Sequence, residues 1–410
     1  MYFLYNFTLL IILILSPIII FYRILIGKEN PHRFKEKFCF FSKKPKKGKT
    51  LWFHGASVGE IKTIIPLIIE FEKRQNVKQI LVTSNTLSSS HIISKYKLKK
   101  TIHQFFPIDI NFFVKKFLNY WNPHLSIFVD SEIWPNMIRQ LYNKKTPIIL
   151  LNARITNKSY KKWITFPNSS KAIFNKITMS IPQNLETSKY LKILGVKNIN
   201  KVANLKYYGQ KDTHFNKNLD KKFVNRIMWC AASTHEGEEK IIASIHKKIK
   251  LNKKKLITVL IPRHINRKKT IINDLEKMNL NVVTHSSNNK INKNSDIYLV
   301  DVYGEASSFY KLSNLVFMGG SLIPHGGQNP LEPARLGNYV IHGPHIKNFK
   351  EVYKFLNKLK FSSIVKNKAE MAKIINKRLN LKKQNLTTKK LYLKGEKILK
   401  NIIKDLDKYL

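Results

Sequence analysis

Four short stretches carry residue types that can do chemistry. The first is Gly55-Ala56-Ser57-Val58-Gly59-Glu60, an acid shortly after the apolar run at 50–54. A carboxylate in that position fits a general base, which takes the proton of a reacting hydroxyl. It equally fits a partner for the positive end of the helix that follows. As a base, Glu60 is expected to be kept ionised by that helix terminus. The second is Asp130-Ser131-Glu132-Ile133-Trp134-Pro135-Asn136, two acids one residue apart. That spacing superficially resembles a metal site. No second acidic cluster or ligand-spaced His accompanies it, so helix capping and cleft lining are the expected jobs and no metal is expected. The third is Pro262-Arg263-His264, which places an Arg at the end of an apolar run, where a guanidinium can clamp a phosphate. The fourth is 318–334, MGGSLIPHGGQNPLEPA, which concentrates two glycine pairs in a chain with 15 glycines in 410 residues.

This last stretch reads as strand, glycine turn and helix start. Glycine permits close backbone approach to a ligand, Pro suits the first turn of a helix, and a helix N-terminus attracts phosphate. The expectation is a nucleotide phosphate held here, with Glu332 near the ribose. An ordinary tight connection between strand and helix has the same appearance.

The elements that must position these groups follow from periodicity. Apolar runs at 50–54, 80–83, 101–106, 125–129 and 148–150 read as strands, each followed by polar or acidic residues. Residues 61–73 and 112–120 have helical spacing, and 173–179 continues the series. A second set opens at 228–232, followed by Ser233-Thr234-His235-Glu236-Gly237-Glu238-Glu239, a helix start with a hydroxyl cap and acids in its first turn. Runs at 256–261, 282–283, 297–300, 315–318 and 340–341 complete it, and the tail 368–410 is Lys-rich with a helical pattern. The economical architecture is α/β, two facing Rossmann-like domains with an interdomain cleft, lined at strand ends as such sheets bind ligands. The segments expected are a membrane anchor at 1–27, a basic connector at 28–49, Rossmann-like domains at 50–207 and 208–385, and a C-terminal helix at 386–410.

Composition narrows the class. The chain has 74 Lys and Arg against 25 Asp and Glu, a formal net charge of +49. Such a balance suits an anionic membrane surface, a phosphorylated substrate or nucleic acid. No basic block is interleaved with aromatics or glycine and no zinc-finger spacing is present, so nucleic acid is not the expected partner. Much of the charge is spread through loops together with Asn and Ile, in the manner of compositional drift. Cys39 and Cys230 stand far apart, which leaves no disulfide framework. Residues 2–22 are apolar and carry no charge, long enough to cross a bilayer. The basic residues Arg23, Lys28, Arg33, Lys35 and Lys37 follow it, so the positive-inside bias puts the rest of the chain in the cytoplasm. Pro17 leaves open whether the segment spans the bilayer or dips into one leaflet.

A resemblance covers nearly all of the soluble part. FHGASVGE (53–60), VTSNT (82–86), DSEIWPN (130–136), LNARIT (151–156), NLK (204–206), AASTHEGEE (231–239), PRH (262–264), FMGGSLIPHGGQNPLEPA (317–334) and HGPH (342–345) occur in collinear order. Together they resemble the 3-deoxy-D-manno-octulosonic acid (Kdo) transferases, membrane-associated GT-B glycosyltransferases of lipopolysaccharide assembly. The resemblance implies transfer of Kdo from CMP-Kdo to the tetraacylated lipid A precursor at the inner membrane, with inversion and without metal or cofactor. It implies Glu60 as the catalytic acid that deprotonates the acceptor hydroxyl, and Glu132 as a second catalytic or acceptor-side acid. Arg263 with His264 would contact the CMP phosphate. Ser233, Thr234, Gly319, Gly320, Ser321, Gly326, Gly327, Asn329 and Glu332 would belong to the donor site.

The chain departs from the family pattern at four positions. Asp130 stands where Glu is usual, Ser89 and Ala203 stand where Gly is usual, and Gln328 replaces a His. Gln keeps the ability to hydrogen-bond but cannot titrate. Two other readings are a GT-B enzyme using a UDP-sugar and a basic membrane-attached nucleic-acid-binding protein.

Overall fold

The computed structural model describes residues 2–209, 219–287, 290–381, 383 and 385–410. The chain forms two compact units, Met1–Tyr208 with Gly395–Leu410, and Gly209–Lys394. The C-terminal helix Asn385–Asp407 is therefore divided between the units rather than being a separate segment.

In the first unit, six strands form one sheet of parallel pairs: β1 Thr50–His54, β2 Gln79–Ser84, β3 Thr101–Phe105, β4 Leu125–Val129, β5 Ile148–Ala153 and β6 Met179–Pro182. Their order is β3-β2-β1-β4-β5-β6. Parallel strands are covered on both faces, which is why these runs are nearly continuously apolar. All five residues of β1 are buried. Leu51 and Phe53 face a core that includes Ile61, Ile64, Ile68 and Phe71 of the helix Val58–Glu72. Trp52 faces the opposite core with Phe117, Trp121 and Phe128. Each such side chain contributes roughly 1.5–3 kcal/mol by leaving water. Leu399, Ile402 and Leu406 of the last helix complete the first of these cores.

The run at 173–179 divides differently from the sequence reading. Ile173 and Phe174 end the helix Pro167–Phe174, and the strand starts only at Met179. The helix Tyr2–Leu25 precedes all of this and is long and apolar enough to cross a membrane. Pro17 lies inside it. Proline has no N–H to give to the carbonyl four residues earlier, and Ser16 Oγ donates to that Leu13 carbonyl at 2.7 Å instead.

Among the described residues, the second unit holds seven strands in parallel pairs: β7 Ile227–Thr234, β8 Leu256–Pro262, β9 Val282–Thr284, β10 Ile297–Leu299, β11 Leu315–Met318, β12 Tyr339–His342 and β13 Ser362–Ile364. Their order is β13-β12-β11-β7-β8-β10-β9. β13 has no counterpart in the sequence reading, being three residues long with one buried position. The tail expected as one helical stretch is two helices, Lys368–Arg378 and Asn385–Asp407.

Candidate active site

In an open parallel sheet, ligands bind beyond the carboxyl ends of the strands where the order reverses. In the first unit that point lies between β1 and β4, which are paired neighbours. Glu60 follows β1 and Glu132 follows β4, so the two candidate acids stand at the switch point from separate segments.

Glu60 is the third residue of the helix Val58–Glu72, with Ser57 as its N-cap in a reciprocal capping box. Ala56 N–H donates to Glu60 Oε2 at 2.7 Å and the Ser57 hydroxyl donates to Oε1 at 2.8 Å. The helix terminus was expected to keep this acid ionised. Instead burial, followed by the like charge of Glu132, pushes the Glu60 carboxyl up to about 7. The hydrogen bonds from Ser57 and Ala56 act in the other direction and are outweighed. A carboxyl poised there can both accept and hold a proton near neutrality.

Glu132 is held by two aromatic donors. His54 Nε2 lies 3.1 Å from Oε2, and Trp134 Nε1 donates to the same oxygen at 2.9 Å. His54 is buried, its Nδ1 is 2.9 Å from Thr83 Oγ1, and its ring stacks on Phe106 at 3.9 Å. His54 ends β1 and so links the strand that leads to Glu60 with the acid after β4. Asp130 takes a left-handed φ of 63°, and Lys206 Nζ lies 3.7 Å from its Oδ2. Ser89, where a glycine was expected, is buried and turns its hydroxyl to Thr86 Oγ1 at 2.6 Å.

In the second unit the switch point lies between β7 and β11, again paired neighbours. The glycine stretch follows β11 and Ser233-Thr234 ends β7. Gly319 is forced by contact: a Cβ there would meet the Ser233 carbonyl oxygen at 2.4 Å. Gly320, Gly326 and Gly327 have positive φ, and Gly327 N–H closes the turn onto the Gly320 carbonyl at 2.7 Å.

The amides of this turn are not free for an anion as expected. Glu238 accepts the N–H of Gly320 at 2.7 Å, of Ser321 at 3.1 Å and of Leu322 at 3.0 Å. It also accepts the N–H of His235 at 3.0 Å. The expected helix start is likewise reduced to the five residues Leu331–Arg335. Two hydroxyls assigned to the donor site are engaged internally. Thr234 donates to Glu239 Oε1 at 3.0 Å, and Arg267 grips the same carboxylate with both terminal nitrogens. Ser321 donates to the Met318 carbonyl and accepts Gly343 N–H at 2.9 Å. Asn329 accepts Leu331 N–H at 3.1 Å, and Glu332 accepts from the Ser307 hydroxyl. Gln328 is half-buried, and its backbone carbonyl accepts the Tyr353 hydroxyl at 3.0 Å.

What remains available to a ligand is a rim of cations and imidazoles. Arg263 and His264 are exposed, and among the described residues the Arg263 guanidinium has no hydrogen bond or ion pair. His264 is 6.0 Å and His325 4.1 Å from the ring of His235. Sequence reasoning passed over His235. It is buried, its Nδ1 is 3.0 Å from the Ser233 carbonyl oxygen, and its Nε2 has no partner. Burial and the neighbouring His325 hold its ring down to about 4. The neutral ring donates from Nδ1 and leaves the buried Nε2 as an acceptor without a partner. The signal for both His235 and Glu238 was the HEGEE run, which reads only as a helix start.

Among the described residues no group of three or more His, Cys, Asp or Glu is arranged to hold a metal ion. Cys39 and Cys230 are buried free thiols.

A family model described as 3-Deoxy-D-manno-octulosonic-acid transferase (kdotransferase) matches residues 32–208. The 3-deoxy-D-manno-octulosonic acid transferase of Rickettsia bellii (strain RML369-C) is 31% identical over 415 residues, covering 99% of each chain. That of Haemophilus influenzae (strain ATCC 51907 / DSM 11121 / KW20 / Rd) is 30% identical over 362 residues, covering 84% of this chain and 83% of the other. A solved structure of a putative UDP-N-acetylglucosamine 2-epimerase from Listeria monocytogenes superposes with a TM-score of 0.59 over 88% of this chain and 97% of that one, at 13% identity. That likeness concerns the fold, which is of the GT-B type with two Rossmann-like units. Matched from end to end by such a relative, the chain belongs to the 3-deoxy-D-manno-octulosonic acid (Kdo) transferases, a family of glycosyltransferases.

Proposed function

We propose that the protein transfers Kdo from CMP-Kdo to the tetraacylated lipid A precursor, with inversion at the anomeric carbon and without a metal or cofactor. The observation that carries this reading is the placement of Glu60 after β1 and of Glu132 after β4, paired neighbours at the switch point of the first sheet, and burial with the like charge of Glu132 raises the Glu60 carboxyl. Glu60 takes the proton of the acceptor hydroxyl as its oxygen forms a bond to the anomeric carbon of Kdo. The bond from that carbon to the phosphate oxygen breaks, and its electron pair leaves with CMP. Arg263 stabilises the phosphate as it gains charge. His235 Nε2 accepts a hydrogen bond from the nucleoside. Glu132 tunes Glu60 and lines the acceptor side.

The enzyme works at the cytoplasmic face of the inner membrane. Support for this comes from the apolar helix Tyr2–Leu25 and the basic residues after it, which suit the anionic lipid of that leaflet. The test is product mass spectrometry with CMP-Kdo and the lipid A precursor, run beside a panel of UDP-sugars. The expected result is a mass gain of one or more Kdo residues with release of CMP. Turnover of a UDP-sugar in place of CMP-Kdo would overturn the reading.

A further inference from the structure

The first helix does not stand away from the protein. Of its residues, Tyr2, Tyr5, Leu9, Leu13, Ser16 and Ile20 are partly or fully covered, and the series continues at Arg23 and Ile24. These steps of three and four residues trace one face along its whole length. The opposite face is apolar and open, with Phe3 84%, Ile14 69%, Ile18 70% and Leu25 68% exposed.

Both ends are tied to the same unit. At the start, Tyr5 OH donates to Asp109 Oδ2 at 2.7 Å, and Asn136 Nδ2 donates to Asn6 Oδ1 at 2.8 Å. At the finish, Arg23 pairs with the buried Glu29 at 3.3 Å, and Lys37 pairs with the same carboxylate. The Lys37 carbonyl in turn accepts Ile108 N–H at 3.0 Å, one residue from Asp109. A helix of 24 residues is about 36 Å long. Crossing a hydrocarbon layer of about 30 Å would put its two ends on opposite sides, and Tyr5 and Asn6 would lose Asp109 and Asn136.

The surroundings match a lipid surface. The helix Asn111–Trp121 adjoins the first helix through Asn111 Nδ2 and Tyr2 OH at 3.2 Å. It carries the exposed Phe112, Lys115 and Lys116, which line a shallow groove of about 680 Å³ floored by Phe41 and Tyr120. Exposed aromatics beside lysines suit the boundary between head groups and acyl chains. The formal charge of +49 favours anionic lipid.

We propose that Tyr2–Leu25 lies in the plane of an anionic membrane surface, with its covered stripe on the protein and its open face in lipid, and does not cross the bilayer. This rests on the reading of a membrane-bound enzyme given above and specifies how it is bound.

The experiment uses the full chain on vesicles of phosphatidylethanolamine and phosphatidylglycerol. Single substitutions at open positions, Phe3→Cys, Ile14→Cys and Leu25→Cys, are labelled with a fluorophore and quenched by lipids brominated at different depths. Cys39 and Cys230 are buried and stay unlabelled. All three positions are expected at one shallow depth, about 5–10 Å below the head groups. An Ile14→Cys label near the bilayer centre, with the Phe3→Cys and Leu25→Cys labels shallow, would overturn the proposal. So would a dimer that covers the open face in place of lipid. Full-length protein that does not float with the vesicles would sink the membrane reading itself. Kdo transfer, measured on the same samples, reports on folding and on the proposed reaction independently of depth.

Discussion

Glu238 Oε2 accepts the N–H of Gly320 at 2.7 Å from a point 82 residues earlier in the chain. The glycine turn after β11 is thus shaped by an internal carboxylate, in the position where an amide cradle would otherwise receive an anion. Four backbone donors depend on this one side chain. Glu238→Ala leaves them buried and unpaired, which costs about 3 kcal/mol or more. The expected outcome is a Tm lower by roughly 5–10 °C together with weaker CMP binding. Calorimetry and a CMP titration check it, and an unchanged Tm would show that the turn holds itself.

Arg263 gives the opposite pattern. Its side chain is exposed and has no partner among the described residues. Arg263→Ala should leave the stability within about 0.5 kcal/mol of the parent. The loss of a charge-assisted hydrogen bond, worth roughly 1.5–3 kcal/mol, should weaken CMP-Kdo binding by about tenfold or more. Donor affinity equal to that of the parent would remove Arg263 from the phosphate.

The third expectation concerns acidity. Glu60 must be deprotonated to act as a base, and its carboxyl is raised to about 7. The quotient kcat/KM should therefore rise with pH up to about 7 and level off above it. Glu60→Gln should lower kcat by roughly 10²–10⁴ with CMP affinity unchanged. Glutamine also completes a capping box, so Tm should hardly move, and lost rate cannot be assigned to a lost helix start. A near-normal rate in this variant would show that the base lies elsewhere.

Glu132→Gln tests the coupling between the two acids. Glu132 raises the Glu60 carboxyl by like charge. Removing that charge should move the acidic limb of the pH–rate profile to lower pH. The amide can still accept from Trp134, so the loop after β4 should keep its shape. An acidic limb that does not move would leave burial and the charge of Asp130 as the causes of the shift.

Much of this arrangement was legible in the residues. The strand Leu125–Val129 has the bounds its apolar run suggested, and β1 likewise. Local runs carry that information, because a buried parallel strand must be apolar on both faces. The nearness of β1 and β4 was not legible, since their pairing is set by packing between distant segments. The use of each hydroxyl was not legible either. Thr234 and Ser321 have the residue type of ligand contacts, yet each finds an internal acceptor that only the folded chain supplies. The HEGEE run showed its acids, but the loop that would consume Glu238 lies 84 residues away at Leu322.

Asp109 has a wider reach than its place in a loop implies. Its carboxylate accepts the N–H groups of Asn136 at 3.0 Å and Met137 at 2.8 Å, capping the helix Pro135–Asn143, while also holding Tyr5. Burial pushes the Asp109 carboxyl up to about 7. The loop that leads into that helix carries Glu132 and Trp134. A shortened protein that starts after Leu25 would expose this carboxylate to water and loosen the segment behind Glu132. Comparing kcat of the shortened and complete proteins on a water-soluble acceptor would separate that internal effect from the loss of lipid attachment.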